Sequence, residues 1–287
     1  MRRVLVGLLA AVVVVAMVTA LWRYVRAESP HGQLELTEID GEVQVQRAVG
    51  DAAAARPGQI LHADDRVSTG AAGRAVLSLG RDTHIRVGPT SSLQVVAVDE
   101  AGVSLELENG ALQATVRPEA GAVRVNSRGR AVLATSGEFA VGVSDDILQV
   151  SATRGSLSLS GVDQTRLEEG QQATVVDRHA EVGAVPEELL LAVDWPQEAR
   201  TRSELTTVTG TTQPGARVTL SGAFGERTVT ANAEGRFVAE VPLAEGDNPV
   251  EFEAVDILGR QTTVEGALPT RDTQGPSFRG GVDYGGR

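Results

Sequence analysis

The chain contains no cysteine and no lysine among its 287 residues. The absence of thiols excludes structural disulfides, thiolate metal sites and thiol catalysis. Because all 26 basic residues are arginine, Schiff-base chemistry and the P-loop lysine are also excluded. Aromatic residues make up only 3% of the chain, which leaves little for a surface that stacks on sugars. Several classes of enzyme are therefore ruled out by composition alone.

Basic charge is also scarce. The formal net charge is −12, and from residue 28 onward 22 arginines face 38 acidic residues. A surface of this sign repels phosphate backbones and anionic headgroups, so we expect no nucleic-acid partner. The acidity is also what a soluble exported surface needs.

One long uncharged segment, residues 4–22, is long enough as a helix to cross a bilayer. Arg2 and Arg3 precede it, which favours a cytoplasmic amino terminus. We expect residues 1–27 to be a short cytoplasmic stub with a signal anchor in the inner membrane and the remainder to lie in the periplasm. The alternative is a secreted protein released by signal-peptide cleavage, because Val18-Thr19-Ala20 and Val25-Arg26-Ala27 fit the small-x-small cleavage pattern.

After residue 34 the sequence consists of short alternating runs separated by Gly, Asp, Asn and Pro, which predicts an all-β chain. In residues 83–87, Thr83, Ile85 and Val87 are expected on one face, with His84 and Arg86 on the other. Asn109-Gly110 lies between two alternating runs and predicts a hairpin turn. Further strands are expected at 43–46, 123–125, 131–134, 139–143, 148–150, 157–159 and 173–176.

The stretch 57–96 combines turn residues and alternation in an order that resembles the FecR domain. The matching features are Pro57-Gly58, Asp64-Asp65, Thr69-Gly70, Gly73-Arg74-Ala75 and Gly88-Pro89-Thr90-Ser91. The likeness continues through Ser136–Val141, although Glu138 stands where the family has threonine, and through Leu167–Gln171. It implies a twisted β-sandwich or irregular solenoid, which we place at residues 28–183.

A second pattern begins near Pro186 and resembles bacterial immunoglobulin-like modules. It includes Pro214-Gly215 and Gly246-Asp247-Asn248 turns, and alternation predicts a core of Val218, Leu220, Val229, Phe237, Val241, Val250, Phe252 and Ala254. We assign residues 184–268 to this β-sandwich and its linker strand. Leu189–Leu191 fit either a strand, which we favour, or a helical turn. Residues 269–287 are rich in glycine and poor in apolar residues, which predicts a disordered tail.

No motif indicates catalysis or a cofactor. The four histidines lack the spacing of a zinc site, and paired acids such as Asp64-Asp65 point to opposite faces of a strand, so they cannot form a glycosidase pair. Both acids fit a turn, with calcium as a weaker reading. Phe224 is the one aromatic expected at a loop tip. Phe224, Asp64 and Asp65 are our candidates for contact with a partner, and each also has a purely structural explanation.

Better-known members of the FecR family hold a sigma factor through a cytoplasmic domain, but here only Met1-Arg2-Arg3 precede the apolar segment. We therefore expect no anti-sigma domain. The sequence favours a non-enzymatic envelope protein without cofactors that binds a protein partner by strand addition or flat sheet contact. Two alternatives remain open: a cell-wall or surface polysaccharide-binding module, and a sensor that signals through a separate membrane protein.

Overall fold

A computed structural model describes residues 33–144 and 146–273. The membrane segment predicted at residues 4–22 and most of the predicted tail lie outside this range. Within the range no helix is both long and apolar enough to cross a membrane. The described chain is all-β, as the sequence predicted, and its single helical element there is a 3-10 turn at Pro118–Ala120.

Seventeen strands form the first part of the chain. They are β1 (Leu34–Asp40), β2 (Val43–Gln46), β3 (Ala52–Ala54), β4 (Gln59–Leu61), β5 (Arg66–Thr69), β6 (Arg74–Leu79), β7 (Thr83–Val87), β8 (Ser92–Asp99), β9 (Gly102–Val116), β10 (Ala122–Ser127), β11 (Arg130–Ala134), β12 (Gly137–Ser144), β13 (Ile147–Arg154), β14 (Leu157–Ser160), β15 (Arg166–Leu167), β16 (Gln171–Val176) and β17 (His179–Ala184).

These strands pair into two sheets that share one strand. Sheet A runs in the order β4-β1-β6-β7-β9-β12-β13-β16-β17. Sheet B runs in the order β3-β2-β5-β8-β9-β10-β11-β14-β15. All pairs are antiparallel except β9 with β10, which are parallel. Hairpins of both sheets are interleaved along the chain: β6-β7, β12-β13 and β16-β17 lie in sheet A, whereas β2-β3, β8-β9, β10-β11 and β14-β15 lie in sheet B.

The hairpin predicted at Asn109-Gly110 is wrong, because both residues lie inside the continuous strand β9, which the two sheets share. The residues before this dipeptide pair with β8 and β10 in sheet B, whereas those from Gly110 onward pair with β7 and β12 in sheet A. Gly110 has φ +90°, and an added Cβ there would lie 2.1 Å from the Oγ of Ser91. The dipeptide therefore carries one strand from one sheet to the other, because the positive φ bends the chain without reversing it.

One hydrophobic core fills the space between sheets A and B. It follows the alternation predicted from sequence: Ile85 and Val87 of β7 are buried, while Arg86 is exposed. Thr83 shares the inward face and is also buried. The period of two thus places the apolar side chains of both sheets into one contiguous layer.

Eight further strands form a second sandwich. They are β18 (Ala192–Asp194), β19 (Arg200–Thr201), β20 (Leu205–Thr211), β21 (Arg217–Gly222), β22 (Gly225–Thr230), β23 (Arg236–Pro242), β24 (Gly246–Val255) and β25 (Gln261–Arg271). Sheet C has the order β18-β20-β23 and sheet D the order β19-β25-β24-β21-β22. Their core contains all eight residues predicted for it, with Val229 only partly buried. Trp195 adds an edge-on contact to Phe252, with ring centroids 5.7 Å apart.

Two boundaries of the second sandwich differ from the sequence prediction. Leu189–Leu191 form neither a strand nor a helical turn, and β18 begins only at Ala192; Leu189 is nevertheless buried in the core. At the other end β25 extends past residue 268 to Arg271, because Thr270 and Arg271 pair with the short parallel strand β19. Arg271 also forms a 2.8 Å ion pair with Glu204.

The second sandwich packs against the outer face of sheet A. The turn after β24 contributes the Ile257 carbonyl, which accepts a hydrogen bond of 3.2 Å from Nε2 of Gln113 in β9. On β12 and β13 the outward residues Ala140, Gln149 and Ser151 are buried. Since inward positions on these strands are buried as well, this part of sheet A is covered on both faces.

Candidate functional site

The predicted contact residues Asp64 and Asp65 lie in the turn between β4 and β5, where they play different roles. Asp65 is only 2% exposed, and its Oδ2 accepts hydrogen bonds from Nη1 of Arg47 at 2.6 Å and from the backbone N–H of His62 at 2.9 Å. Its carboxylate thus joins the turn to Arg47 in the loop after β2. Asp64 has φ +67° and an exposed side chain, whose Oδ1 accepts only a long hydrogen bond of 3.5 Å from Nε2 of Gln94, so of the two it is the carboxylate that faces solvent.

The third predicted contact residue, Phe224, lies in the turn between β21 and β22 of the second sandwich. Its ring covers Gly222, where an added Cβ would come within 2.7 Å of Cε1 of the ring. It also packs, partly buried, against the second core. The structure therefore places Phe224 on a different sandwich from the aspartates, and the three residues do not converge on one surface. Their role in contacting a partner stays a prediction.

In residues 33–144 and 146–273, no three His, Asp or Glu side chains come together as a metal-binding group. The binding groups that the described surface does offer are unpaired backbone N–H and C=O groups at the edges of the sheets. Most strands that end a sheet are too short to present more than one or two backbone groups: β3, β4 and β18 have three residues each, and β15 and β19 have two.

Three longer strands have a single partner in the described part of the chain: β17, β22 and β23. The last two are neighbours across one corner of the second sandwich. By contrast, β17 ends sheet A alone and pairs only with β16. Within the described residues it is the only strand of the first sandwich longer than three residues that has a single partner.

The direction of each backbone group of β17 follows from its hairpin with β16. Val176 pairs with His179 across the Asp177-Arg178 turn, and Asp177 has φ +54°, as a two-residue hairpin turn requires. The N–H groups of odd-numbered residues then point toward β16, and those of Ala180, Val182 and Ala184 point outward. Two contacts agree with this pattern: Val185 donates inward to Gly170 O, and Ala180 donates outward to Asp163 Oδ1, both at 2.8 Å.

Asp163 occupies the first outward-pointing N–H of β17, that of Ala180, by accepting its hydrogen bond. Its Oδ2 also lies 2.8 Å from Nδ1 of His179, and its backbone N–H donates to Arg178 O at 2.9 Å. The N–H of Ala180, together with His179, lowers the pKa of the Asp163 carboxyl below its ordinary value. The open part of the edge therefore begins after Ala180, where Val182 and Ala184 each present one N–H and one C=O.

The side chains of β17 alternate between two faces of sheet A, an apolar face on the core side and a polar face on the outer side. Ala180, Val182 and Ala184 share the face of Ala173 and Val175, which are buried in the first core. At this edge, however, Val182 is 38% exposed. Glu181 lies on the opposite face, across from Thr174, and it is exposed. The edge thus combines an unfinished apolar face with a free carboxylate.

Sequence reasoning predicted strand addition but did not identify this edge. The strands expected in the first sandwich ended at Val176, so β17 was missed altogether. The alternation of Ala180, Val182 and Ala184 with His179, Glu181 and Gly183 could have revealed it, since that pattern has the period of a strand. It is easily overlooked because alanine and glycine give a weak strand signal.

Comparison with known proteins bears on the first sandwich. Residues 65–158 match the family model described as FecR protein. No curated protein matches the chain. Two crystal structures of a "putative anti-sigma factor" from Parabacteroides distasonis, at 2.50 and 1.65 Å resolution, are similar with 19% and 18% identity and a TM-score of 0.36. The similarity covers 42% of this chain and 59% of theirs, so it spans less than two thirds of those chains.

Proposed function

We propose that this chain, whose residues 65–158 match the FecR protein family, is a non-enzymatic scaffold or signalling module of the bacterial envelope that binds an extended segment of another protein along β17. The observation that carries the proposal is the open edge at Val182 and Ala184. An extended segment gains main-chain hydrogen bonds there, and side-chain positions on both faces provide selectivity.

The placement of the protein in the envelope is part of the same proposal. It is supported by the uncharged segment at residues 4–22, which is long enough as a helix to cross a bilayer. The segment would hold the chain at the inner membrane, with both sandwiches outside the cytoplasm. Signalling, where it occurs, would then pass through a separate membrane partner that is bound by the first sandwich.

The interface can be tested in cells by replacing single residues with a photo-crosslinking amino acid. Val182 is the test position, and Thr228 of β22 is the control, since both residues point their backbone N–H outward from an open edge. We expect a discrete protein adduct from position 182 and none from position 228. If position 182 forms no protein adduct in the intact envelope, strand addition at β17 is wrong.

A second function, polysaccharide binding, is favoured by one feature of sheet B. Its outer face carries a row of partly exposed polar side chains, one from each of four neighbouring strands: Arg66, Gln94, Glu106 and Asn126. Because neighbouring strands lie about 4.8 Å apart, an extended glycan lying across them would meet a hydrogen-bonding group at each strand. No aromatic side chain stands in this row.

This second function predicts a different sensitivity to mutation. Replacement of Gln94 and Asn126 by alanine should abolish retention on insoluble cell-wall glycan while the adduct from position 182 persists. Retention that is unchanged by these two substitutions would exclude sheet B as a glycan surface. Glycan retention by the Gln94 and Asn126 variants and protein crosslinking from position 182 therefore distinguish the two proposed functions.

A further inference from the structure

The side chains beside the open edge point to the kind of strand that it accepts, an inference that rests on the proposed function. In an antiparallel addition, Val182 and the residue opposite it form a hydrogen-bonded pair, whereas Glu181 and the residue opposite it form a non-hydrogen-bonded pair. Side chains approach most closely in the non-hydrogen-bonded pairs. The residue that faces Glu181 is therefore the one whose charge matters most.

Glu181 has no ion pair within the described part of the chain, and its partner across the sheet is the uncharged Thr174. The chain continues into Glu187 and Glu188, which are both exposed. An arginine or lysine opposite Glu181 would gain a cross-strand ion pair, whereas an acidic residue there would be repelled. The edge consequently favours a basic outward residue in the incoming strand.

The inner face imposes a second condition. Val182 continues the face of the buried Ala173 but is 38% exposed. An aliphatic side chain opposite Val182 would extend the first core by one strand and remove this apolar area from water. We propose that β17 binds an extended antiparallel segment of a partner protein that places a basic residue opposite Glu181 and an aliphatic residue opposite Val182.

A second copy of the chain fits this edge less well. If two β17 strands paired about Val182, Glu181 would lie opposite Gly183 of the other copy, so neither carboxylate would gain a basic partner. Each copy also carries a formal net charge of −12, which opposes association. Asp163 limits the register further, because it already occupies the N–H of Ala180 at 2.8 Å.

The test uses the full chain in detergent and two synthetic peptides of alternating valine and threonine that differ only in a central outward residue, arginine or glutamate. We expect the arginine peptide to bind more tightly, on the order of three- to tenfold. Glu181→Arg should invert this preference. Val182→Pro should abolish binding, because it removes an outward N–H without removing a bond to β16. Thr228→Pro, the matched change on β22, should leave binding intact.

Amide hydrogen exchange on the unaltered chain gives a readout that needs no variant. Added arginine peptide should protect the amides of Val182 and Ala184 selectively. The inference is overturned if neither peptide binds, if both bind wild type equally, if Glu181→Arg leaves the preference unchanged, or if protection appears elsewhere. Concentration-dependent self-association that protects Val182 without peptide would show that a second copy is the occupant. A protein adduct from position 182 together with no charge preference would leave the proposed function standing and this inference wrong.

Discussion

Ile257, in the turn between β24 and β25, lies directly against Gly142 of β12, so that a Cβ added at Gly142 would come within 2.3 Å of the Ile257 Cγ2. The close approach joins the second sandwich to sheet A. A second contact lies nearby, where a Cβ added at Gly215 would meet Oε1 of Gln149 at 2.8 Å. The two sandwiches therefore meet through small residues that admit side chains from the other partner.

The first prediction follows from this contact. Gly142→Ala should weaken the contact between the sandwiches, by about 1 to 3 kcal/mol if the site behaves as an overpacked core, because Ile257 must move. Small-angle scattering should show a larger radius of gyration, and proteolysis should cut faster between Val185 and Leu191. The control is Gly183→Ala, since an added Cβ there meets nothing within 4 Å. Equal cleavage of both variants would contradict the prediction.

A second prediction concerns the strand that crosses between sheets. Gly110→Ala should destabilise the first sandwich more than Gly129→Ala does, although both glycines have positive φ, of +90° and +80°. Left-handed backbone costs an alanine about 1 to 2 kcal/mol at either site. Only at Gly110 does the new Cβ also collide with Ser91, at 2.1 Å from its Oγ, whereas the space at Gly129 is open.

Chemical denaturation monitored by circular dichroism measures this difference. Equal losses of unfolding free energy in the two variants would show that backbone strain alone matters at Gly110. A larger loss at Gly129 would contradict the role assigned to the crossing strand.

The same glycine shows why sequence predicted the strands better than their connections. Alternation identified β7 and the second core because burial repeats every two residues. At Asn109-Gly110 the local signal for a hairpin was strong, but tertiary contacts favour a continuous strand instead. Nδ2 of Asn109 donates a hydrogen bond to Thr90 O at 2.8 Å, and Ser91 occupies the space next to Gly110. Such contacts are distant in sequence and invisible to local patterns.

The candidate site was less predictable than the fold for a related reason. Whether a strand lies at an edge depends on which strands pair, and this is not encoded in the strand itself. Asp64-Asp65 was recognised as a turn, but the difference between its two carboxylates depends on Arg47, which lies in a loop 18 residues earlier.

A third prediction separates the two aspartates. Asp65→Ala should cost about 1 to 3 kcal/mol of unfolding free energy, because it leaves the N–H of His62 without its acceptor and the guanidinium of Arg47 without its carboxylate partner. Asp64→Asn should change stability by less than about 0.5 kcal/mol, because the residue is exposed and asparagine tolerates its positive φ. Thermal unfolding of both variants measures the difference. Loss of partner adducts in the stable Asp64→Asn variant would assign the exposed carboxylate to binding.

A fourth prediction concerns pH. Arg66 donates a hydrogen bond to Oε2 of Glu108 on the outer face of sheet B, as does Ser92 at 3.0 Å. The hydrogen bond from Arg66 is the main cause that lowers the pKa of Glu108 below its ordinary value. Because the pKa is lower in the folded than in the unfolded state, the carboxylate stabilises the fold above its unfolded pKa. This contribution is lost as pH falls through the folded pKa.

Arg66→Gln should therefore reduce unfolding free energy at neutral pH, by less than about 1 kcal/mol since both side chains are partly exposed. The difference from wild type should shrink toward zero in acid. Arg124→Gln is the control, because Arg124 lies on the same face but donates to the neutral amide of Asn126, so its effect should not vary over this pH range. Denaturation at a series of pH values measures both variants. A deficit in Arg66→Gln that persists undiminished below the folded pKa of Glu108 would show that the guanidinium stabilises the sheet by packing, independently of the carboxylate.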